Sequence, residues 1–193
     1  TDGRRALCTP AGQATPGKDL QKYLDIIKYN KLNALVIDMK DDYGSLRYIS
    51  KDDFINQKTY TSKYAIDLDA FVTQCKAEDV YLIARIVVFK DKNLWQYGGG
   101  KYAIKDAYSG KPWQGIKGYS DIKDEEGNVI GEETNYYDEH WVDPYCEDVW
   151  AYNVAIAKEL IARGFDEIQF DYIRFPTDGL NLSNVKYTWR DSG

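Results

Sequence analysis

The chain has 193 residues, of which 44% are hydrophobic and 29% charged, and its formal net charge is −6. This composition predicts one globular domain with a sizeable core and excludes a disordered chain. The negative charge disfavours a nucleic-acid partner, because phosphates attract basic surfaces, and no apolar run approaches the roughly 18 residues that a membrane-spanning helix needs.

Strand and helix signals alternate along the first half of the chain. Residues 5–9 read as a short strand, after which Thr15-Pro16 predicts a helix start, with proline at the first helical position. Residues 34–40 form an apolar run with charges only at its far end, which predicts a strand buried on both faces. The next helix places Cys75 on its apolar stripe, where a cysteine is typically a small buried hydrophobe.

The second half of the chain continues the alternation. Residues 80–89 predict a third buried strand that only Arg85 interrupts. Asp143-Pro144 predicts the start of a third helix, and Gly164 follows its end. A fourth strand is expected before Pro176, and the whole pattern is typical of a parallel sheet with helices outside it. The predicted strands, which we expect to be neighbours in this order, are residues 5–9, 34–39, 81–88 and 168–174.

Two parallel architectures, a doubly wound sheet and a (β/α)₈ barrel, fit this pattern. The turn after the first strand, residues 9–13, lacks the G-x-G-x-x-G motif of a dinucleotide-binding fold. Connections from helix to strand are short, whereas those from strand to helix are long, over residues 41–66 and 90–142, and residues 177–193 predict no further element. In parallel α/β folds the strand-to-helix connections lie at the carboxyl ends of the strands, where functional sites are built.

Aromatic residues make up 15% of the chain, with 17 Tyr and 5 Trp. Exposed flat rings suit stacking on sugar faces, although Tyr also serves half-buried packing, and composition leaves both interpretations open. Many of the rings fall in the insertion at about 90–142, in which residues 126–128 predict a hairpin turn. Five of them are candidates for contacts with sugar: Trp95, Trp113, Tyr136, Tyr137 and Trp141.

Charged side chains on the buried strands are the candidates for chemistry. Because side chains alternate along a strand, we expect Asp38 and Lys40 to share one face, and Gln169 and Asp171 to share another. If these faces point inward, Asp38, Arg85 and Asp171 converge from three adjacent strands, and the arginine holds both carboxylates ionised. A structural ion network is the alternative and is favoured for Arg85, whereas the position of Asp171 at the end of a strand favours a functional role.

Several classes of site lack the residues that they need. Three cysteines without metal-ligand spacing and a single histidine, His140, disfavour a zinc site. The carboxylates at positions 41, 42, 52 and 53 lack the EF-hand spacing and are interpreted as loop capping and solvation. No G-x-S-x-G motif accompanies His140, which disfavours a Ser-His-Asp hydrolase. We therefore expect no metal and no cofactor.

Three stretches, residues 33–42, 84–91 and 164–179, resemble a TIM-barrel family known as the putative glycosyl hydrolase domain, and residues 141–144 fit it as well. The resemblance implies a parallel (β/α) TIM-type barrel with only the first four βα units present. Residues 1–193 are then the N-terminal half of a single barrel domain with a long insertion at about 90–142. Since half a barrel leaves an apolar face and a strand edge unpaired, we expect the remainder of the barrel or another copy of the chain as a partner.

The same resemblance implies an exported glycoside hydrolase that acts on a polysaccharide or a cell-envelope glycan with two carboxylates. Asp171 is the expected catalytic residue, as nucleophile or as the carboxylate that stabilises the oxocarbenium-like transition state, and we expect the general acid beyond residue 193. A carbohydrate-binding or scaffolding barrel without turnover is the alternative. Besides the five aromatic candidates, the residues expected to bind an oligosaccharide or polysaccharide are Asp38, Lys40, Arg85 and Arg174.

Overall fold

The structure, a computed structural model, describes residues 3–190 as a mixed α/β fold. Five α-helices, two short 3₁₀ helices and ten strands lie within that range, and none of the helices is long and apolar enough to cross a membrane. In chain order the elements are β1 (Ala6–Thr9), α1 (Lys18–Tyr29), β2 (Ala34–Lys40), β3 (Leu46–Tyr48), α2 (Asp53–Asn56), β4 (Thr61–Ile66), α3 (Leu68–Ala77), β5 (Tyr81–Val87), α4 (Lys92–Gly100), β6 (Lys105–Asp106), β7 (Ile116–Lys123), β8 (Val129–Tyr136), α5 (Glu147–Ala162), β9 (Glu167–Asp171) and β10 (Val185–Lys186).

Four parallel strands form the centre of the sheet, in the order β1, β2, β5 and β9. The register pairs Asp38 of β2 with Arg85 of β5, and Val87 of β5 with Asp171 of β9. This order and direction confirm the prediction for the four main strands. The far end of β2 also pairs antiparallel with β3, and β3 pairs parallel with β4, so the connection after β2 widens the sheet.

One hydrophobic core joins three helices to a single face of the sheet. Ile37 of β2 and Ala84 of β5, which pair across the strands, belong to the same buried cluster as side chains of α1, α3 and α5. Cys75 of α3 is fully buried in this cluster, as its place on the helical stripe predicts. Asp38 and Arg85 alternate with these residues and are only partly buried. The helices therefore cover one face, and the polar strand residues lie on the other.

Both long connections have secondary structure of their own. Residues 41–66 contain β3, α2 and β4, and residues 90–142 contain α4, β6 and a hairpin of β7 and β8. The hairpin confirms the predicted turn, in which Gly127 has a φ of 87°. Glycine is favoured there because a side chain strains this left-handed backbone.

Two predictions about the end of the chain are wrong. The fourth strand ends at Asp171 and not near residue 174, because Tyr172 adopts a φ of 53° that no strand accommodates. The segment after residue 176, expected to hold no further strand, contains β10, which pairs antiparallel with β6 of the insertion. Residues 191–193 lie outside the described part of the chain.

Two helices begin later than predicted. α1 begins at Lys18, because Gly17 has a φ of 103°, which a helix does not accommodate. α5 begins at Glu147, because the Asp143 carboxylate accepts a hydrogen bond from the Tyr145 backbone N–H and closes a turn ahead of the helix. These shifts leave the order of the elements as predicted.

Candidate active site

Three charged side chains from neighbouring strands meet near the carboxyl end of the sheet. Arg85 of β5 donates from Nη1 to Oδ1 of Asp38 at 2.9 Å and from Nε to Oδ2 of Asp171 at 2.8 Å. Its Nη2 lies 2.7 Å from the same oxygen of Asp171. The structure thus brings together the three residues that the sequence analysis expects to converge.

The strand register explains this convergence. Asp38 pairs directly with Arg85 across β2 and β5, and Asp171 pairs with Val87, two residues further along β5. Because side chains alternate, Arg85 and Val87 share a face, and the arginine reaches a carboxylate on each flanking strand. The exposed fraction of the side chain is 28% for Asp38, 18% for Arg85 and 41% for Asp171. Of the three, Asp171 is the group that a ligand reaches most easily.

The backbone after Asp171 is strained in a way that fixes its carboxylate. Tyr172 has a φ of 53°, and its N–H donates to Oδ1 of Asp171 at 2.7 Å. The carbonyls of Asp171 and Tyr172 accept hydrogen bonds from the N–H groups of Val88 and Phe89, which hold this conformation in place. A left-handed conformation in a residue with a side chain costs about 1–3 kcal/mol and is frequent at functional sites.

Opposing effects act on the pKa of the Asp171 carboxyl. Partial burial raises the pKa, whereas the hydrogen bond from the Tyr172 N–H, the hydrogen bond from Arg85 and the charges of Arg85 and Arg174 lower it. The resulting pKa lies below the ordinary value for aspartate, so this carboxyl is ionised at neutral pH. An ionised carboxylate suits a nucleophile or a charge stabiliser, whereas a general acid must hold a proton.

A second cluster of charges surrounds the Tyr172 ring. Lys90 Nζ lies 3.2 Å from Oδ2 of Asp42 and 3.4 Å from Oε1 of Glu139. The same nitrogen is 5.0 Å from the centre of the Tyr172 ring, and the guanidinium carbon of Arg174 is 5.3 Å from it. Burial lowers the pKa of Lys90, but the hydrogen bond to Asp42 and the charges of Asp42 and Glu139 raise it further, so the amine stays charged.

None of Asp42, Lys90 and Glu139 belongs to the site residues that the sequence predicts. Asp42 reads as a solvated loop residue, and the long insertion separates Lys90 from Glu139 in the chain. An antiparallel bridge between Lys90 and Trp141 closes the insertion on itself and brings its two ends together. No residue spacing in the sequence predicts this bridge, so the cluster of Asp42, Lys90 and Glu139 is identified only from the tertiary structure.

Lys40 does not join either cluster. A register shift between Asp38 and Lys40 in the pairing of β2 with β5 turns Lys40 to the opposite face from Asp38. Its side chain is fully buried, with Nζ 2.6 Å from Oδ2 of Asp91, and it donates to the Val87 carbonyl and to Oδ1 of Asn153 in α5. An enclosed side chain cannot contact substrate, so the predicted binding role of Lys40 is wrong.

Two of the five aromatic candidates are buried. Trp113 and Trp141 are each only 1% exposed. Trp141 packs against Tyr172, with ring centres 6.1 Å apart, and the Arg174 guanidinium lies 4.9 Å from its ring. Trp113 donates from its indole N–H to the Asn181 carbonyl. Both rings pack inside the protein, which disfavours a stacking role for them in sugar binding.

The other three aromatic candidates belong to the more open part of the insertion. Tyr136 is 51% exposed, whereas Trp95 and Tyr137 are half-buried. Trp95 and Tyr136 line an open groove of about 410 Å³, together with Trp113, Gln114 and Asn181. An exposed ring face beside polar groups suits a sugar, and Tyr136 is the most exposed ring of this groove.

The single histidine has a packing role. His140 is buried with its ring 4.7 Å from that of Trp95, and burial, followed by the charge of Lys92, lowers the pKa of the imidazole. Across residues 3–190, no group of three or more His, Cys, Asp or Glu side chains is arranged to hold a metal ion.

A family model described as “putative glycosyl hydrolase domain” matches residues 6–192. The chain belongs to this family. No curated protein matches the sequence. A solved structure of a hypothetical protein from Ruminiclostridium thermocellum is 28% identical to the chain, with a TM-score of 0.73, and the similarity covers 95% of this chain and 82% of that one.

Two enzymes with solved structures share the fold at lower identity. A Flavobacterium johnsoniae dextranase in complex with isomaltotriose is 10% identical, with a TM-score of 0.55 over 96% of this chain. An isomaltulose synthase from Erwinia rhapontici in complex with sucrose is 15% identical, with a TM-score of 0.52 over 87% of this chain. The chain spans 21% and 34% of these two enzymes. The family supports a carbohydrate-active function, and these two neighbours support a mostly parallel α/β fold.

Proposed function

We propose that this protein is a glycoside hydrolase that cleaves a polysaccharide or a cell-envelope glycan. The observation that carries the proposal is the Asp171 carboxylate, which ends β9 at the carboxyl edge of the sheet, is 41% exposed and is hydrogen-bonded to Arg85. Retaining glycosidases use a carboxylate as the nucleophile at this kind of position. Asp38, on the other flank of Arg85, is the proposed contact for a sugar hydroxyl.

The proposed scaffold is a (β/α) TIM-type barrel. Residues 1–193 supply its first four βα units, with the insertion at about 90–142, and parallel neighbours in chain order with helices on one face support this arrangement. Within residues 3–190, β9 pairs with β5 alone, and Gln169 and Phe170 on its two faces are exposed. The proposed partner of this free edge is the remainder of the barrel or another copy of the chain.

The proposed reaction begins with attack of Asp171 on the anomeric carbon. The bond to the leaving oxygen breaks as that oxygen takes a proton, and a covalent glycosyl ester forms. Water then adds to the anomeric carbon, gives its proton to the group that protonated the leaving oxygen, and releases the aspartate. Arg85 fixes the orientation of the carboxylate and keeps it ionised before attack, because it donates two of its N–H groups toward the same oxygen.

The identity of the proton donor distinguishes this mechanism from the alternative function. Asp38, Asp42, Asp171 and Glu139 are each paired with a cation, Arg85 or Lys90. The lowered pKa of Asp171 makes that carboxyl a poor acid at neutral pH, and the other three carboxylates are engaged by these two cations. The donor is therefore assigned to a side chain outside these four. If there is no such donor, the protein is a carbohydrate-binding or scaffolding barrel without turnover.

Contacts to sugar are proposed for both the strand ends and the insertion. Arg174 lines an open depression of about 400 Å³ together with Asp171. Tyr136, Tyr137 and Trp95 offer ring faces on the insertion. The distribution suits an extended glycan better than a monosaccharide, because separate surfaces bind successive sugar units.

The test is a product screen of the full-length protein on a broad glycan panel, with Asp171→Asn as the diagnostic variant. Asp166→Asn is the matched control, because it makes the same change just before the opposite end of β9, where the carboxylate accepts the Leu82 N–H. We expect the Asp171 variant to stay folded and lose several orders of magnitude in turnover, while the control stays active. A wild type that binds a glycan but cleaves none supports the scaffold alternative.

A further inference from the structure

Within residues 3–190, Arg174 differs from Arg85 and Lys90 in forming no salt bridge, although its charge acts on Asp171 at a distance. Arg85 contacts two carboxylates, and so does Lys90. Within residues 3–190, Arg174 makes hydrogen bonds only to the Phe175 carbonyl, at 3.2 Å, and to Oγ1 of Thr177, at 3.3 Å. Its charge is therefore available to a ligand.

The Arg174 side chain is held in place despite its exposure. The guanidinium carbon lies 4.9 Å from the centre of the Trp141 ring and 5.3 Å from that of Tyr172. Trp141 is buried, and the Tyr172 carbonyl accepts a hydrogen bond from the Phe89 N–H, so both residues are held in place. Cation–π contacts with two rings hold the guanidinium, and its remaining N–H donors can bind a planar or tetrahedral anion.

The position of Arg174 ties this charge to the reaction centre. Arg174 and Asp171 line the same depression of about 400 Å³, three residues apart in the chain. A neutral sugar does not need a full charge at this place, since hydroxyl groups are satisfied by neutral donors. A guanidinium matches a carboxylate or a sulfate with two parallel hydrogen bonds.

We infer that the glycan carries an acidic group, a uronate carboxylate or a sulfate, on a sugar next to the bond that Asp171 attacks, and that Arg174 binds this group. This inference rests on the proposed function and names its substrate class. Arg174 contributes specificity, and Asp171 and Arg85 contribute the chemistry. A neutral glycan leaves the Arg174 charge unpaired and binds more weakly.

The inference is tested by titrating the full-length protein with matched pairs of glycans. Pectate, alginate and glucuronoxylan oligosaccharides are compared with their carboxyl-reduced forms, and sulfated oligosaccharides with their desulfated forms. In wild type, we expect one acidic glycan to bind about tenfold or more tighter than its neutral form, an advantage that shrinks as salt is raised. The two arms show whether the acidic group is a carboxylate or a sulfate.

Arg174→Gln should abolish this preference and bring the paired glycans to equal affinity. Arg4→Gln is the matched control, because Arg4 also lies over a tyrosine ring, that of Tyr81 at 3.8 Å, but at the opposite end of β5. The inference is overturned if wild type prefers neutral glycans, or if Arg174→Gln keeps the preference for acidic ones. If neutral glycans are bound and cleaved, the proposed function survives this result; if no glycan binds, both fail.

Discussion

Strand β2 carries two ion clusters of opposite character, two residues apart. Asp38 pairs with Arg85 where both side chains are partly exposed, at 28% and 18%. Lys40 pairs with Asp91 where both side chains are completely buried. The residue types are alike, but the register shift after Asp38 sends Lys40 to the opposite face of the sheet. The face on which a charge lies, and not its chemical type, decides what the charge does.

The difference follows from the cost of desolvating ions. A fully buried pair loses its hydration and depends on its partners, so it serves mainly to fix geometry. Lys40 joins β2 to the Val87 carbonyl and to α5, and Asp91 accepts the Leu94 N–H at the start of α4. The half-solvated cluster around Asp171 keeps access to a ligand. The Lys40–Asp91 pair therefore holds the elements around the site in place, and the cluster around Asp171 forms the candidate site itself.

The largest expected effect on stability is that of Asp91→Asn. This change keeps an acceptor for the Leu94 N–H but leaves the Lys40 charge buried without a counterion. We expect the free energy of unfolding to fall by about 3–5 kcal/mol, as measured by urea denaturation. Asp171→Asn is the control in the exposed cluster and should cost much less. An equal loss of unfolding free energy in the two variants would contradict the proposed difference between the buried and the exposed cluster.

Gly44→Ala probes the same buried pair from the backbone side. Gly44 has a φ of 81°, and a Cβ there would lie 1.9 Å from Oδ1 of Asp91. We expect a loss of about 2–4 kcal/mol, from overpacking together with left-handed strain. Gly127→Ala in the hairpin is the control, since its φ is 87° with nothing within 4 Å, and only the strain applies. Thermal unfolding of both variants measures the two losses in stability. Similar losses would show that the Asp91 side chain moves to make room for the added methyl group.

Arg85→Gln tests the exposed cluster through pH. Arg85 lowers the pKa of Asp171, and activity that needs the ionised carboxylate is lost as the pH falls through that pKa. Removing the guanidinium raises the pKa, so the acidic limb of the kcat/KM profile should move to higher pH. Arg4→Gln serves as control and should leave the limb in place. An unmoved limb in Arg85→Gln would mean that another group sets it.

Tyr136→Ala is expected to have the smallest effect. Its ring is half exposed on the insertion, so truncation should weaken oligosaccharide binding by about five- to tenfold and leave the melting temperature nearly unchanged. Trp113→Ala is the comparison, because that ring is buried and its loss should destabilise the fold. Oligosaccharide titration and thermal unfolding distinguish the effect on binding from the effect on stability. Unchanged binding in Tyr136→Ala would show that the Tyr136 ring does not contact the sugar.

Much of the fold was predictable because it depends on local patterns. The apolar runs around Ile37 and Ala84 specify buried strands, and their order follows from the alternation with helices. The meeting of Asp38, Arg85 and Asp171 follows from side-chain alternation together with the order of the strands. The sequence therefore contains the centre of the candidate site.

The misplaced residues share a cause in non-local geometry. Alternation predicts Lys40 beside Asp38, but a bulge in β2 breaks the period, and no residue type signals it. Trp141 and Glu139 depend on how the insertion closes on Lys90, and composition cannot tell a buried ring from an exposed one. Local patterns specify strands; contacts between distant segments specify the rest of the site.

The most direct test of the central claim is chemical rescue of Asp171→Ala on a glycan that the wild type cleaves. Removing the carboxylate leaves a space beside Arg85 that a small anion can enter. We expect the folded variant to be inactive without azide. Added azide should restore cleavage, because it attacks the anomeric carbon in place of the carboxylate and forms a glycosyl azide of inverted configuration as the product. A folded variant that cleaves the glycan without azide, or one that azide does not rescue, would contradict the role of Asp171 as nucleophile.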